Sequence, residues 1–226
     1  GDDLSLIDGL TYSLNKAGYE VDVARTVGEA LERLSKPDCF ALLLLDVTLP
    51  DGTGFSVCEQ VREKGSTVPI IFLTASDEEV NVIRGLDSGG DDYITKPFNP
   101  LEVIARVKSQ LRRYTSLGGS EKSTGLITVG PVSMDDSARR VTVDGEPVAL
   151  TPIEYNILKL LISHPGQVFS SAQIYEQVWN DPAYGSENTV AVHIRHLREK
   201  IEIDPADPRW LKVVWGLGYK MEKGGA

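Results

Sequence analysis

Two runs, Phe40–Asp46 (FALLLLD) and Val68–Leu73 (VPIIFL), are apolar on both alternating faces. A strand of that kind can be stable only where it is covered on both sides. Around these runs stand segments with helical spacing. Leu6, Ile7, Leu10 and Leu14 repeat at the interval of a helix that Gly18 stops, and 27–34, 55–63, 78–87 and 100–113 read as further helices. Shorter strand candidates lie at 20–24 and 92–95. Doubly apolar strands alternating with amphipathic helices describe an α/β domain, a doubly wound parallel sheet with helices on both faces.

The pattern changes after residue 114. TSLGGSEKSTG at 115–125 carries Gly, Ser and charge with almost no apolar content, and reads as a linker between a domain at 1–114 and one at 126–226. The second domain opens on short strands at 127–129, 132–134, 140–143 and 147–149. Asp144-Gly145 is a strong signal for a tight hairpin between the last two. Helices at 152–163, 172–179 and 188–202 follow. A glycine-turned hairpin over 210–222 closes the chain, so the second domain reads as α+β.

The chain has 226 residues and a formal net charge of −10, which is unexpected for a partner of nucleic acid. The charge is unevenly spread. Residues 1–122 hold 13 Lys+Arg against 20 Asp+Glu, and residues 123–226 hold 10 against 13. Any polyanion must therefore be met by a local basic face. No apolar run approaches the ~18 residues of a membrane helix, and no charged-then-apolar leader opens the sequence. The expectation is a cytoplasmic protein without membrane contact. Cys39 and Cys58 lie in or beside apolar stretches without metal or redox spacing, and read as buried, reduced thiols.

In open parallel sheets ligands bind beyond the carboxyl ends of the strands. Asp46 ends one apolar strand, Thr74 ends the next and Lys96-Pro97 ends the third, while Asp2 and Asp3 stand where a first strand would end. Such a rim suits phosphoryl transfer. A carboxylate can attack phosphorus, other oxygens can hold a hard cation, and a lysine can neutralise the transferring group. One aspartate at a strand end is weak evidence, since Asp is common in turns; several such groups in order are hard to ascribe to capping alone.

The motifs DVTLPDGTGF, LTAS, DDYITKPF and NPLEVIARVKSQLRR resemble the receiver domain of OmpR/PhoB-type two-component response regulators. The resemblance runs from Asp2 onward and implies a flavodoxin-like receiver followed by a winged-helix domain. It makes Asp46 the phosphoryl acceptor, Thr74 and Lys96 the groups on the phosphoryl oxygens, and Asp2, Asp46 and the Thr48 carbonyl the ligands of Mg²⁺. It also implies a cis Lys96–Pro97 bond and a switch in which Tyr93 follows Thr74 inward. On periodicity alone Tyr93 would be an ordinary half-buried strand aromatic. The resemblance further implies a homodimer through the face at 77–113, pinned by Asp91, Asp92, Glu102, Arg106 and Lys108, with Val82 in place of one expected cation. The family's first strand would precede Gly1. In the order 2-1-3-4-5 it would lie between 20–24 and 40–46, supplied by residues upstream of Gly1, which is the favoured expectation, or by another chain, unless this half is rearranged from the usual receiver.

In the second domain the helix ENTVAVHIRHLREKIE has an apolar stripe at Val190, Ile194, Leu197 and Ile201, and carries His193, Arg195, His196, Arg198 and Lys200 elsewhere. A cationic amphipathic helix can enter the major groove, although a charged face is more often merely solvated. The resemblance makes this the recognition helix on double-stranded promoter DNA. Thr189 would lie near a phosphate, Arg195, His196 and Arg198 would face the groove, and 180–187 would be a loop toward RNA polymerase. The closing hairpin would be the wing. Many relatives carry Arg before its Gly-x-Gly; here Trp215 stands there, which leaves Lys212 or Lys220 to supply a cation.

The function expected is that of a transcriptional regulator switched when a partner histidine kinase phosphorylates Asp46. It would not be an enzyme beyond its own phosphoryl transfer and loss. The alternatives are a phosphorylation-independent regulator whose degenerate receiver serves only to dimerise and, more distantly, a phosphatase-like enzyme. The second half adds no catalytic cluster for the latter.

Overall fold

The computed structural model describes residues 2–36, 39–75, 84–115, 125–180 and 187–224. The chain divides into two compact units, 1–112 and 113–226. Among the described residues no helix is long and apolar enough to cross a membrane.

The first unit opens with α1 (Asp2–Lys16) and α2 (Val27–Arg33). β1 (Leu43–Asp46), β4 (Ile70–Thr74) and β5 (Asp92–Thr95) form a parallel sheet in the order β1-β4-β5. A small hairpin of β2 (Thr48–Leu49) and β3 (Gly52–Thr53) leads from β1 into α3 (Gly54–Glu63). Residues 84–87 are helical, and α4 (Pro100–Thr115) ends the unit. Every residue of β4 is buried, as its sequence demands of a central strand. One core packs Leu43, Leu45, Phe72 and Ile70 against α3, and a second packs Ile71, Leu73 and Ile94 against Leu10, Leu14, Val103 and Val107. Helices therefore cover both faces, and the doubly wound reading holds for these three strands.

Residues 20–24 depart from expectation. Their alternation reads as a strand, yet they join no sheet. A ladder needs a neighbouring strand, and no described strand pairs with them. The first described residue, Asp2, already opens α1. Cys39 is also a correction: it is exposed, in the loop before β1, whereas Cys58 is fully buried in α3. Burial pushes the Cys58 thiol up to about 11.

Arg62, at the end of α3, fastens this unit. It donates to the carbonyls of Gly89, Ser66 and Val68 and to the Asp91 carboxylate. Asp91 is fully buried and also accepts the Ile70 amide at 2.8 Å. The expectation of Asp91 on an outer face is thereby corrected, because its carboxylate is drawn inward to satisfy the backbone between β4 and β5.

The second unit begins with an antiparallel sheet of β6 (Leu126–Val129), β7 (Val132–Asp135), β8 (Arg140–Val143) and β9 (Glu146–Pro147). Asp144 and Gly145 make the turn before β9 with φ of 51° and 83°, the left-handed pair that a tight hairpin requires. Three helices follow: α5 (Pro152–Ile162), α6 (Ser171–Trp179) and α7 (Glu187–Ile201). Thr151 with Glu154, and Ser170 with Gln173, form capping boxes that fix where α5 and α6 start. The apolar stripe of α7, Val190, Ile194, Leu197 and Ile201, is buried with Ile153, Ile157, Leu161 and Ile174. The hairpin of β10 (Leu211–Val214) and β11 (Gly218–Met221) closes the unit.

Candidate functional site

The rim of the parallel sheet is set by strand register. Asp46 lies opposite Leu73, and Thr74 lies opposite Thr95, so Asp46, Thr74 and Lys96 come from the carboxyl ends of three adjacent strands. Lys96 donates its backbone amide to the Thr74 carbonyl at 2.7 Å, which seats the lysine beside the threonine. Its ammonium reaches the Asp46 Oδ2 at 2.5 Å. The other carboxylate oxygen accepts the Thr48 amide at 3.2 Å. The Asp46 side chain is 31% exposed. It is held in place, yet open enough to meet a reactant. The Lys96–Pro97 peptide is cis, as the resemblance implies.

The chain behind Asp46 is tightly shaped. A Cβ on Gly54 would lie 2.3 Å from the Asp46 carbonyl oxygen, so the first residue of α3 must be glycine for the helix to start this close to β1. Thr74 is buried and Tyr93 half-buried; both line one small cavity of about 10 Å³ with Val47, Phe55, Phe72, Gly85 and Leu86. The two expected switch residues are therefore neighbours around a single void. Asp2 starts α1, but its side chain lies outside the described atoms, as does all of Val82. Among the described residues no group of three or more His, Cys, Asp or Glu is gathered for a metal. The donors that are described, a carboxylate and the carbonyl of Thr48, are hard oxygens of the kind that magnesium takes.

On the expected dimer face, Arg106 is engaged within the chain, 2.9 Å from Asp92, which is almost wholly buried. Glu102 and Lys108 are exposed on α4.

The residues expected on a recognition helix divide by environment. Arg195 is exposed, within 4.0 Å of Glu199 one turn on. Thr189 and His193 are buried, and the His193 ring packs on Trp179 with centroids 5.4 Å apart. His193 presents almost no surface to a groove in this conformation. Burial holds the His196 imidazole below its ordinary value, so it is mostly neutral at pH 7. Arg198 turns to the hairpin, donating to the Leu211 carbonyl at 3.0 Å with its guanidinium over the Tyr219 ring.

Two residues that the pattern did not single out hold this unit together. Glu202 accepts the amides of Arg209, Trp210 and Leu211 at 2.8–2.9 Å, tying the end of α7 to the hairpin. Glu154 is 2% exposed and receives both the Thr151 amide and the Lys200 ammonium, tying α5 to α7. The Thr-x-x-Glu box was a readable signal for Glu154; nothing local announced Glu202. Lys212 and Lys220 are cross-strand partners in the hairpin, and Lys220 pairs with Glu222 at 2.7 Å.

The sequence family described as response regulator receiver domain matches residues 1–108. The family described as transcriptional regulatory protein, C terminal, matches residues 145–221. The chain is 41% identical over 224 residues to the regulatory protein VanR of Enterococcus faecium, covering 98% of this chain and 96% of that one. It is 39% identical over 221 residues to the sensory transduction protein RegX3 of Mycolicibacterium smegmatis, covering 98% and 96%. A solved structure of a RitR mutant, 25% identical, superimposes over 99% of this chain and 97% of that one with a TM-score of 0.73.

Proposed function

The chain belongs to the two-component response regulators of the OmpR/PhoB type, phosphorylation-dependent regulators that bind DNA, and from that premise we propose that Asp46 is its phosphoryl acceptor. The observation that carries this is the Asp46 carboxylate at a strand end, 2.5 Å from the Lys96 ammonium and beside the end of Thr74's strand. In the reaction a carboxylate oxygen of Asp46 attacks the phosphorus of a histidine kinase's phosphohistidine. The new O–P bond makes an acyl phosphate, the N–P bond breaks, and the electron pair returns to the imidazole, which takes up a proton. Lys96 balances charge on the phosphoryl oxygens, and the Thr74 hydroxyl donates to one of them. Magnesium would be held by Asp46, the Thr48 carbonyl and Asp2, and would supply further neutralisation of the transferring group.

Drawing Thr74 toward the phosphoryl group changes the void it shares with Tyr93, and the ring then moves inward. That rearrangement favours a homodimer through the α4 face, with Glu102 and Lys108 available on its surface. The second unit binds promoter DNA through α7, where Arg195 is an exposed cation and Thr189, His196 and Arg198 lie alongside. The hairpin lysines Lys212 and Lys220 lie near the backbone. RNA polymerase is met by the segment at 180–187, of which 181–186 lie outside the described residues, and the setting is the cytoplasm.

The test is labelling with acetyl phosphate and Mg²⁺, read by intact mass. The unmodified chain gains one phosphoryl group and Asp46→Asn gains none. Undiminished labelling of Asp46→Asn sinks the assignment.

A further inference from the structure

On the side of the first unit away from Asp46 the fold leaves a cavity of about 260 Å³, walled by the last turns of α2 and α3 and by the chain that leads into β1 and β4. Asp46 ends β1 and Gly54 opens α3, whereas Phe40 precedes β1 and Val61 and Lys64 lie at the close of α3. The cavity therefore sits at the opposite ends of the two elements that shape the acceptor rim. Its floor is apolar. Val61 is buried, and Leu31, Leu34, Phe40 and Val68 pack on the core while staying half-buried. An apolar cavity of about 150 Å³ already holds a benzene ring, so this one has room for a ring with a short tail.

The mouth has a different chemistry. Lys36, Cys39 and Lys64 are exposed on it, and among the described residues of the lining there is no Asp or Glu. Lysines at helix C-termini ordinarily serve the terminal carbonyls, but other donors already hold those here. The Leu34 amide meets the carbonyl of Ala30, the Ser35 amide that of Glu32, the Lys64 amide that of Gln60 and the Gly65 amide that of Arg62. The Arg62 guanidinium takes the Ser66 and Val68 carbonyls. Neither lysine ammonium has a hydrogen-bond or ion-pair partner among the described residues. Two uncommitted cations thus stand over an apolar pit.

We propose that this cavity is a binding site for a small amphipathic carboxylate, an aromatic or short aliphatic acid whose apolar body fills the floor and whose carboxylate is met by Lys36 and Lys64. The apolar lining supplies most of the affinity, by removing the ring from water. The lysines supply the choice of an anion over a neutral compound of the same shape. Each exposed charge pair is worth little alone, so the preference is modest and the affinity is that of a fragment. The site is independent of the phosphoryl-acceptor and DNA-binding readings.

The test uses the full chain, with Cys39 as the reporter. Cys39 is exposed on the cavity, whereas Cys58 is buried, so alkylation by iodoacetamide, read by intact mass, follows access to this site. Hydrocinnamate is expected to slow the labelling, with half-protection at about 1 mM, and to move the amide resonances of Gly65 and Ser66. Hydrocinnamyl alcohol, its neutral counterpart, is expected to protect about fivefold more weakly. Lys36→Gln combined with Lys64→Gln, both at exposed positions, should bring the acid down to the level of the alcohol and leave the alcohol unchanged. The proposal is overturned if the acid gives no protection at about 20 mM, if it protects without moving those amides, if acid and alcohol protect alike, or if the double variant keeps the preference.

Discussion

Replacing Glu202 with Ala should loosen the hairpin from α7 without altering any residue proposed to face DNA. The Glu202 carboxylate, 9% exposed, accepts three consecutive amides, those of Trp210 and Leu211 on one oxygen and that of Arg209 on the other. Hydrogen bonds to a charged acceptor contribute about 1.5–3 kcal/mol each. The three are not additive. Arg209 is exposed, so water replaces its bond, whereas Leu211 is fully buried and its amide would be left unsatisfied. The net cost should be about 3 kcal/mol, from one buried amide and one half-buried amide. All three tryptophans lie in the second unit, so urea unfolding followed by tryptophan emission reads this unit alone. With a slope of about 1.5 kcal/mol/M the midpoint falls by about 2 M. DNA affinity should fall as well, because the hairpin no longer arrives in register with α7, and Glu202→Gln, which keeps an acceptor, should recover part of both losses. A midpoint shift under about 0.5 M in Glu202→Ala would refute the argument that this carboxylate carries the junction.

In the first unit, Arg62→Met should cost about 3–5 kcal/mol, because it strands the fully buried Asp91 carboxylate. Pairing it with Asp91→Asn should return a good part of that loss in urea denaturation followed by far-UV circular dichroism, and simple additivity of the two substitutions would show that the residues do not act together. In the second unit, burial lowers the His196 pKa, so the folded chain binds fewer protons there than the unfolded chain. That contribution to stability is full above the unfolded value near 6.5 and shrinks as pH falls through it toward the lower folded value. His196→Asn should flatten the acid-side fall of the tryptophan-monitored midpoint between pH 7.5 and 5.5, and an unaltered slope would exclude His196 as its source.

The parts of this fold that could be read in advance are those whose cause is local. Four leucines before Asp46, and a central strand buried at every residue, announce a covered parallel sheet, since no other setting removes both faces from water. Asp144-Gly145 announces its turn because few residue pairs tolerate two consecutive positive φ angles. That Asp46, Thr74 and Lys96 would share one rim was legible for the same reason, as strand ends follow from strands. Residues 20–24 failed because alternation records only that a segment suits a sheet, while a ladder needs a neighbour's backbone, which the local sequence does not encode.

Charged side chains were misjudged wherever a distant element supplied the partner. Asp91 follows two glycines and precedes another acid, a context that reads as exposed turn; only the Ile70 amide and Arg62, twenty-one and twenty-nine positions away, make burial favourable. Arg198 sits on the polar side of α7 by periodicity, yet the Leu211 carbonyl and the Tyr219 ring turn it toward the hairpin. Both cases follow one rule. Burying a charge is unfavourable unless hydrogen bonds and an opposite partner meet it, and those are tertiary facts. It follows that the cations of α7 cannot be assigned to DNA by counting them. Arg195 is exposed, as the proposed groove-facing role requires, whereas Arg198 holds the hairpin, and an Arg198→Ala variant should therefore lower affinity through a displaced wing, with less change of salt slope than Arg195→Ala.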